Sequence, residues 1–234
     1  MYIDWTYIII VLPFVILAAI ASANVNLTYK RYSRKLSLSG MTGYDVARMI
    51  LDENNLQHIN IEHISGHLTD HYDPKANVVR LSSDVYHGTS MAAIGVAAHE
   101  CGHAVQHAHN YIPVKIRSAI IPATNFGSRI SIPLIMIGIF LSFFGETFIY
   151  LAYAGVICFG LTAIFQLVTL PVEFNASNRA LKILKNCGRF SDDEIRGSKK
   201  VLKSAAMTYV AALAVSLAQL FRLVLIVMQH DRKR

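Results

Sequence analysis

Apolar residues gather into four long runs, at about Ile3 to Ala23, Ile130 to Phe144, Phe148 to Leu170 and Ala205 to Met228. About 20 such residues in a helix cross the hydrocarbon of a bilayer, so the runs predict four membrane spans. The second is short and holds Pro133 and Gly138, which leaves its ends loosely defined. Only Gly145-Glu146-Thr147 separates it from the third, and the pair reads as a tight hairpin. Gln219 and Arg222 in the fourth run either snorkel or face the protein interior.

Between the first two runs the pattern changes to short periods. Thr42-Gly43-Tyr44-Asp45 resembles a capping box, and Val46, Met49, Ile50 and Leu51 follow at helical spacing up to Asn54-Asn55. Ile59, Ile61 and Ile64 alternate as in a short strand. The segments 67–72 and 77–82 flank the turn Asp73-Pro74-Lys75-Ala76 and predict a hairpin. Ser90 is placed to cap a further helix, which runs through Ala98 and beyond, and Pro113 and Pro122 are expected to interrupt the chain after that helix. The order is helix, small antiparallel sheet, helix. It predicts five segments: an anchor at 1–25, an α+β domain at 26–126, a transmembrane hairpin at 127–170, a helix and basic segment at 171–204, and a last span with its tail at 205–234.

With 234 residues, 53% of them hydrophobic, and a mean hydropathy of +0.40, the chain is too apolar for an ordinary soluble domain. Met1-Tyr2-Ile3-Asp4-Trp5 carries no positive charge ahead of a long apolar run, so the first span reads as a retained anchor rather than a cleaved signal peptide. Bases crowd the segments after the first span (Lys30, Arg31, Arg34, Lys35), before the second (Lys115, Arg117, Arg129) and between the third and fourth (Lys182, Lys185, Arg189, Arg196, Lys199, Lys200, Lys203). By the positive-inside rule these face the cytoplasm, and the hairpin turn with Glu146 faces out. Arg232-Lys233-Arg234 opposes that assignment and is outweighed. The net charge of +7 thus sits beside the spans, which suits a membrane surface and not nucleic acid. Cys101, Cys158 and Cys187 have no CxxC spacing and read as reduced thiols, with Cys101 a small core residue.

The chemistry lies in His99-Glu100-Cys101-Gly102-His103, an H-E-x-x-H on the predicted helix. Positions i and i+4 share a helix face, so His99 and His103 can present two imidazoles to one metal, with Glu100 beside them as a general base. The surrounding Ile94, Val96, Ala97, Ala98, Ala104 and Val105 make the helix a buried one, where two histidines and a carboxylate need a reason. A catalytic zinc takes three protein ligands and one open position. His109 has the spacing of a three-histidine site, but Gln106 stands where a helix-breaking glycine is needed, so His109 points away. His107 is a turn too far along the axis. Glu173, placed at the start of a helix after the third span, returns to the same membrane face after two crossings and is the expected third ligand. His71, Tyr72, Asn175 and Arg179 are unranked candidates to steady an oxyanion. Zinc peptidases commonly pair an extended substrate with an edge strand beside this helix, and Val78 to Leu81 is either that strand or an ordinary core strand.

The stretches Ser39-Gly40-Met41-Thr42-Gly43, Leu68-Thr69-Asp70-His71-Tyr72-Asp73-Pro74, Val79-Arg80-Leu81-Ser82, Asp84-Val85-Tyr86-His87, Ala97 to Gln106 and Val172 to Ser177 resemble the YugP-like membrane zinc metallopeptidases of bacteria, in the same order over most of the chain. Glu173-Phe174-Asn175-Ala176-Ser177 is more distantly similar to the E-F-x-A-D stretch of the HtpX/Ste24 membrane peptidases, whose glutamate is the third zinc ligand; here Ser177 replaces the aspartate. The resemblance implies a zincin-like α+β peptidase domain within a mainly α membrane protein. It implies peptidase chemistry on one Zn²⁺ per chain but supplies no particular substrate; together with the apolar runs and the placement of the bases, the expectation is hydrolysis of protein or peptide substrates, membrane proteins among them, by a multi-pass protein of the bacterial cytoplasmic membrane with its active site facing the cytoplasm. A non-catalytic scaffold with a structural zinc is the competing reading, and a metal sensor or transporter a weaker one. Glu100 argues against the scaffold, because a structural site has no use for a base and closes with four ligands.

Overall fold

The computed structural model describes residues 4–232. Ile3, at the edge of the first predicted span, and Lys233 and Arg234 of the basic tail lie outside the described residues. The chain is mostly helical. A π-helical turn, Tyr7–Val11, leads into α1 (Leu12–Ser33), followed by α2 (Gly43–Glu53), strands β1 (Asn60–Ile64), β2 (His71–Asp73) and β3 (Val78–Ser82), then α3 (Ser83–Tyr86) and α4 (Met91–Ala108). Three long helices complete it: α5 (Ile112–Ser142), α6 (Ile149–Asn186) and α7 (Asp192–Arg232). Among the described residues, four segments are long and apolar enough to cross a membrane: Tyr7–Ser33, Ile112–Ser142, Glu146–Asn186 and Asp192–Arg232.

The prolines do not break these helices as the sequence suggests. Pro113 sits in the first turn of α5, where its missing N–H has no intrahelical partner to lose. Pro122 and Pro133 lie inside α5 and Pro171 inside α6, each a local loss within a long apolar helix of the kind that packed membrane helices tolerate. Glu173 therefore does not open a new helix; it continues α6.

The chain divides into two compact units. One comprises the residues up to Ile20, Lys115–Leu170 and those from Thr208 on. Ile135, Ile149, Ala152, Val156, Leu223 and Val227 form its core. At Gly138 a Cβ would stand 2.3 Å from the backbone N of Ala152, so α5 and α6 touch there backbone to backbone. Arg222 faces inward, ion-paired with Asp4 and 5.5 Å from the Tyr7 ring.

The other unit comprises Ala21–Val114 and Pro171–Met207. Its core joins Val46, Ile50 and Leu51 of α2, Val79 and Leu81 of β3, Ile94, Ala97, Ala98, Cys101 and Val105 of α4, and Ala180 and Leu184 of α6. Thr42 caps α2 by a full capping box with Asp45, and Ser90 Oγ accepts from Ala93 N–H at 3.2 Å at the start of α4, both as the sequence suggests. The sheet is mixed, not antiparallel. Its order is β1-β3-β2, with β3 parallel to β1 (Asn60↔Val78 to Ile64↔Ser82) and antiparallel to β2 (His71↔Arg80 to Asp73↔Val78). So β3 is the central strand and not a free edge. Every residue of it but Arg80 is buried, the pattern of a strand covered on both faces. Arg80 clamps the sheet across its width, its Nε 3.0 Å from Glu62 Oε2 on β1 and its Nη1 2.9 Å from Asp73 Oδ2 on β2.

Candidate metal centre

Helix α4 carries His99 and His103 one turn apart, their ring centroids 4.7 Å from each other. Helix α6 brings Glu173 against them. Glu173 Oε2 lies 3.4 Å from His99 Nε2 and 3.5 Å from His103 Nε2. The close approach of the two helices depends on Gly102, where a Cβ would come within 2.6 Å of the Ala176 carbonyl oxygen.

The far nitrogens of both rings are engaged. His99 Nδ1 is 3.1 Å from Ser177 Oγ, and His103 Nδ1 is 3.1 Å from Gln106 Oε1. Gln106 is fully buried, and its Nε2 donates to Val172 O at 2.8 Å and to Asn175 Oδ1 at 3.0 Å. With both N–H groups consumed there, only its carbonyl faces His103. His103 then carries its proton on Nδ1 and keeps its Nε2 lone pair for a ligand role, and the Ser177 hydroxyl can accept from His99 Nδ1 in the same way. Two ligands at about 2.0–2.1 Å from a tetrahedral zinc stand about 3.4 Å apart, so the Nε2–Oε2 separations suit a metal better than they suit a hydrogen bond. His99, His103 and Glu173 form a group of possible metal ligands, all their ligand atoms within 4.8 Å of one another. Burial pushes the His103 imidazole down, but the neighbouring Glu173 and Glu100 carboxylates outweigh it and raise it above its ordinary value. The pocket favours a positive charge.

Glu100 is buried beside the two histidines, and its Oε2 accepts from the Tyr72 N–H on β2 at 3.1 Å. Cys101, on another face, is a core residue whose thiol donates to Ala47 O, and burial pushes that thiol far above its usual range. His107 and His109 stay apart from the group. His107 is exposed, 6.0 Å from the Tyr72 ring, and His109 Nδ1 turns back to Val105 O at 2.8 Å because the helix continues through Ala108.

The four oxyanion candidates are all engaged elsewhere in part. His71 Nδ1 meets Thr69 O at 2.8 Å and the Tyr72 hydroxyl reaches Asn77 Oδ1 at 3.4 Å. Asn175 Oδ1 also accepts from Arg179 Nε at 2.8 Å, and the Arg179 guanidinium lies 5.9 Å from the Tyr111 ring. Two residues of the site are not evident from the sequence. Gln106 shows there only as a missing glycine, although a polar residue at i+3 from His103 on an otherwise apolar helix is a signal. Ser177 shows as the loss of an aspartate, yet it supplies the contact to His99 itself.

Residues 7–228 match the family described as "Putative neutral zinc metallopeptidase". Over 206 residues, 88% of this chain and 89% of the relative, the sequence is 46% identical to "Putative membrane protease YugP" of Bacillus subtilis (strain 168). No solved structure matches the chain.

Proposed function

Because the chain belongs to the neutral zinc metallopeptidase family, we propose that it is a membrane-embedded, zinc-dependent endopeptidase with His99, His103 and Glu173 as ligands of one zinc ion and Glu100 as general base. The observation that carries this reading is the convergence of two Nε2 atoms on Glu173 Oε2 while both Nδ1 atoms are tied to Ser177 and Gln106. Zinc bound there would supply Lewis-acid polarisation of a scissile carbonyl and a water acidified to a pKa of about 7. The residues do the rest. Glu100 takes the proton from the attacking water and passes it to the leaving amine, and the Tyr72 N–H holds the Glu100 carboxylate in place for both transfers. The developing oxyanion takes a further donor from the unranked set His71, Tyr72, Asn175 and Arg179.

The α2, sheet and α4 assembly is the zincin-like part of the protein. The substrate is an extended stretch of a protein or peptide, membrane proteins included, at the cytoplasmic face. Among the described residues β2 is the sheet edge whose backbone reaches Glu100, and it replaces β3 as the strand on which a substrate would pair.

The test is metal content and turnover in the same set of variants. Wild type should hold about one zinc per chain, and a chelator should abolish hydrolysis. His99→Ala, His103→Ala and Glu173→Ala should lose the metal. Glu100→Gln should keep it and lose activity by about 10²-fold or more. Full turnover in Glu100→Gln would sink the mechanism and leave a structural zinc site in a scaffold.

A further inference from the structure

A cavity of about 290 Å³ opens between α1 and α7, away from the metal group and within the same compact unit. Three cations line it, Arg31 from α1 with Lys200 and Lys203 from α7, and no carboxylate does. Among the described residues none of the three is ion-paired with an acidic side chain. Asn24, Thr28 and Ser204 add neutral hydrogen-bonding groups.

Helix spacing explains the arrangement. Asn24, Thr28 and Arg31 stand at i, i+4 and i+7 on one face of α1, and Lys200, Lys203 and Ser204 at i, i+3 and i+4 on one face of α7. Both helices change character here. Leu12 to Ala23 is an apolar run that ends at Asn24, and the apolar run of α7 begins at Ala205, next to Ser204. Two membrane-length helices thus turn polar at one place, and there the free charge is positive.

We propose that this cavity binds the phosphate headgroup of an anionic phospholipid. Arg31 offers the planar guanidinium fork that matches phosphate oxygens, and the two lysines add compact charges. The Thr28 hydroxyl and the Asn24 amide can donate to the remaining oxygens, while the Ser204 hydroxyl already donates to Val201 O at 2.7 Å. On each helix the apolar run adjoins the cavity, at Ala23 on α1 and Ala205 on α7, which gives acyl chains a surface that a soluble phosphate cannot use, so the site favours lipid over free anion. Lipid binding here does not depend on the peptidase reading.

The experiment is a titration of the full chain in detergent, read by native mass spectrometry, with phosphatidylglycerol, phosphatidylcholine, glycerol phosphate and inorganic phosphate as separate probes. Wild type should retain phosphatidylglycerol over phosphatidylcholine and bind both soluble phosphates far more weakly. Lys200→Gln with Lys203→Gln should weaken phosphatidylglycerol binding about thirty-fold, and Arg31→Gln about fivefold. All three positions are exposed, so the variants should fold as wild type does, which melting curves check. Lys182→Gln with Lys185→Gln, exposed bases outside the cavity, removes the same charge and should change nothing. An equal loss in that control pair would make the effect general surface charge and overturn the proposal. So would unchanged binding in the cavity variants, or a soluble phosphate binding as tightly as the lipid.

Discussion

Gln106 has no exposure to solvent, and each polar atom of its side chain is spoken for. It links the ring of His103 on α4 to the backbone of α6 one residue before Glu173, so one amide orients a ligand on one helix and holds the helix that carries another. Gln106→Leu should lower zinc affinity about 10- to 100-fold, the usual effect of losing a partner behind a ligating histidine. Gln106→Glu keeps an acceptor for His103 but sets a carboxylate against Val172 O and Asn175 Oδ1. It should therefore lower the melting temperature more than it lowers zinc affinity. Chelator competition and thermal melting separate the two, and unchanged zinc affinity in Gln106→Leu would refute the positioning role. That His99, His103 and Glu173 come together was legible in the sequence, because i, i+4 spacing and the count of apolar runs are one-dimensional facts. Gln106 was not, since the burial that makes it significant arises only when α6 packs over it.

The contact between α4 and α6 is the element on which the site depends, and Gly102 is its closest point. A Cβ there would meet Ala176 O at 2.6 Å and Ala176 C at 3.1 Å, both backbone atoms that cannot turn aside. Gly102→Ala should therefore push the helices apart, destabilising the protein by about 1–3 kcal/mol as overpacking does, and should weaken zinc binding as Glu173 withdraws from the histidines. Gly160→Ala, where a Cβ meets nothing within 4 Å, is the matched control and should be neutral or slightly stabilising, since alanine is the better helix former. Melting curves with and without zinc decide. Equal behaviour of the two variants would show that the helices have slack. The elements themselves were unevenly legible. Asp73-Pro74 marked the β2–β3 hairpin, and the capping residues Thr42 and Ser90 marked two helix starts. The direction of β1 was hidden because alternation in Ile59, Ile61 and Ile64 identifies a strand but not its partner. A parallel neighbour also needs a long crossover, a connection that here contains β2 in place of a helix. Proline misled for a physical reason too: its cost depends on whether its N–H would have had a partner, as for Pro113 in a first turn, and on helix packing that one dimension does not display.

At the scale of the whole molecule the question is which side of the membrane holds the site. The apolar runs were plain in the sequence, and the helices extend well past them, α1 to Ser33 and α7 back to Asp192. Lys30 and Arg31 sit on the α1 extension and Arg196, Lys199, Lys200 and Lys203 on that of α7. Translocating the clusters at Lys30 to Lys35 and Lys182 to Lys203 is disfavoured, while the turn at Glu146 carries only an acid. Cysteine-accessibility mapping, with Cys101, Cys158 and Cys187 first replaced, should find single cysteines at positions 35 and 185 reachable only from the cytoplasm and one at position 146 reachable only from outside. The same map tests the metal group. His99 and Glu173 share a compartment only if the chain crosses an even number of times between them, as it would if α5 and the apolar part of α6 each cross once. If positions 35 and 185 report opposite sides, the crossings are odd, and Glu173 can join the histidines only through a re-entrant segment. If both report outside, the ligand set survives, the cytoplasmic assignment falls, and Arg232-Lys233-Arg234 becomes the signal that orients the protein.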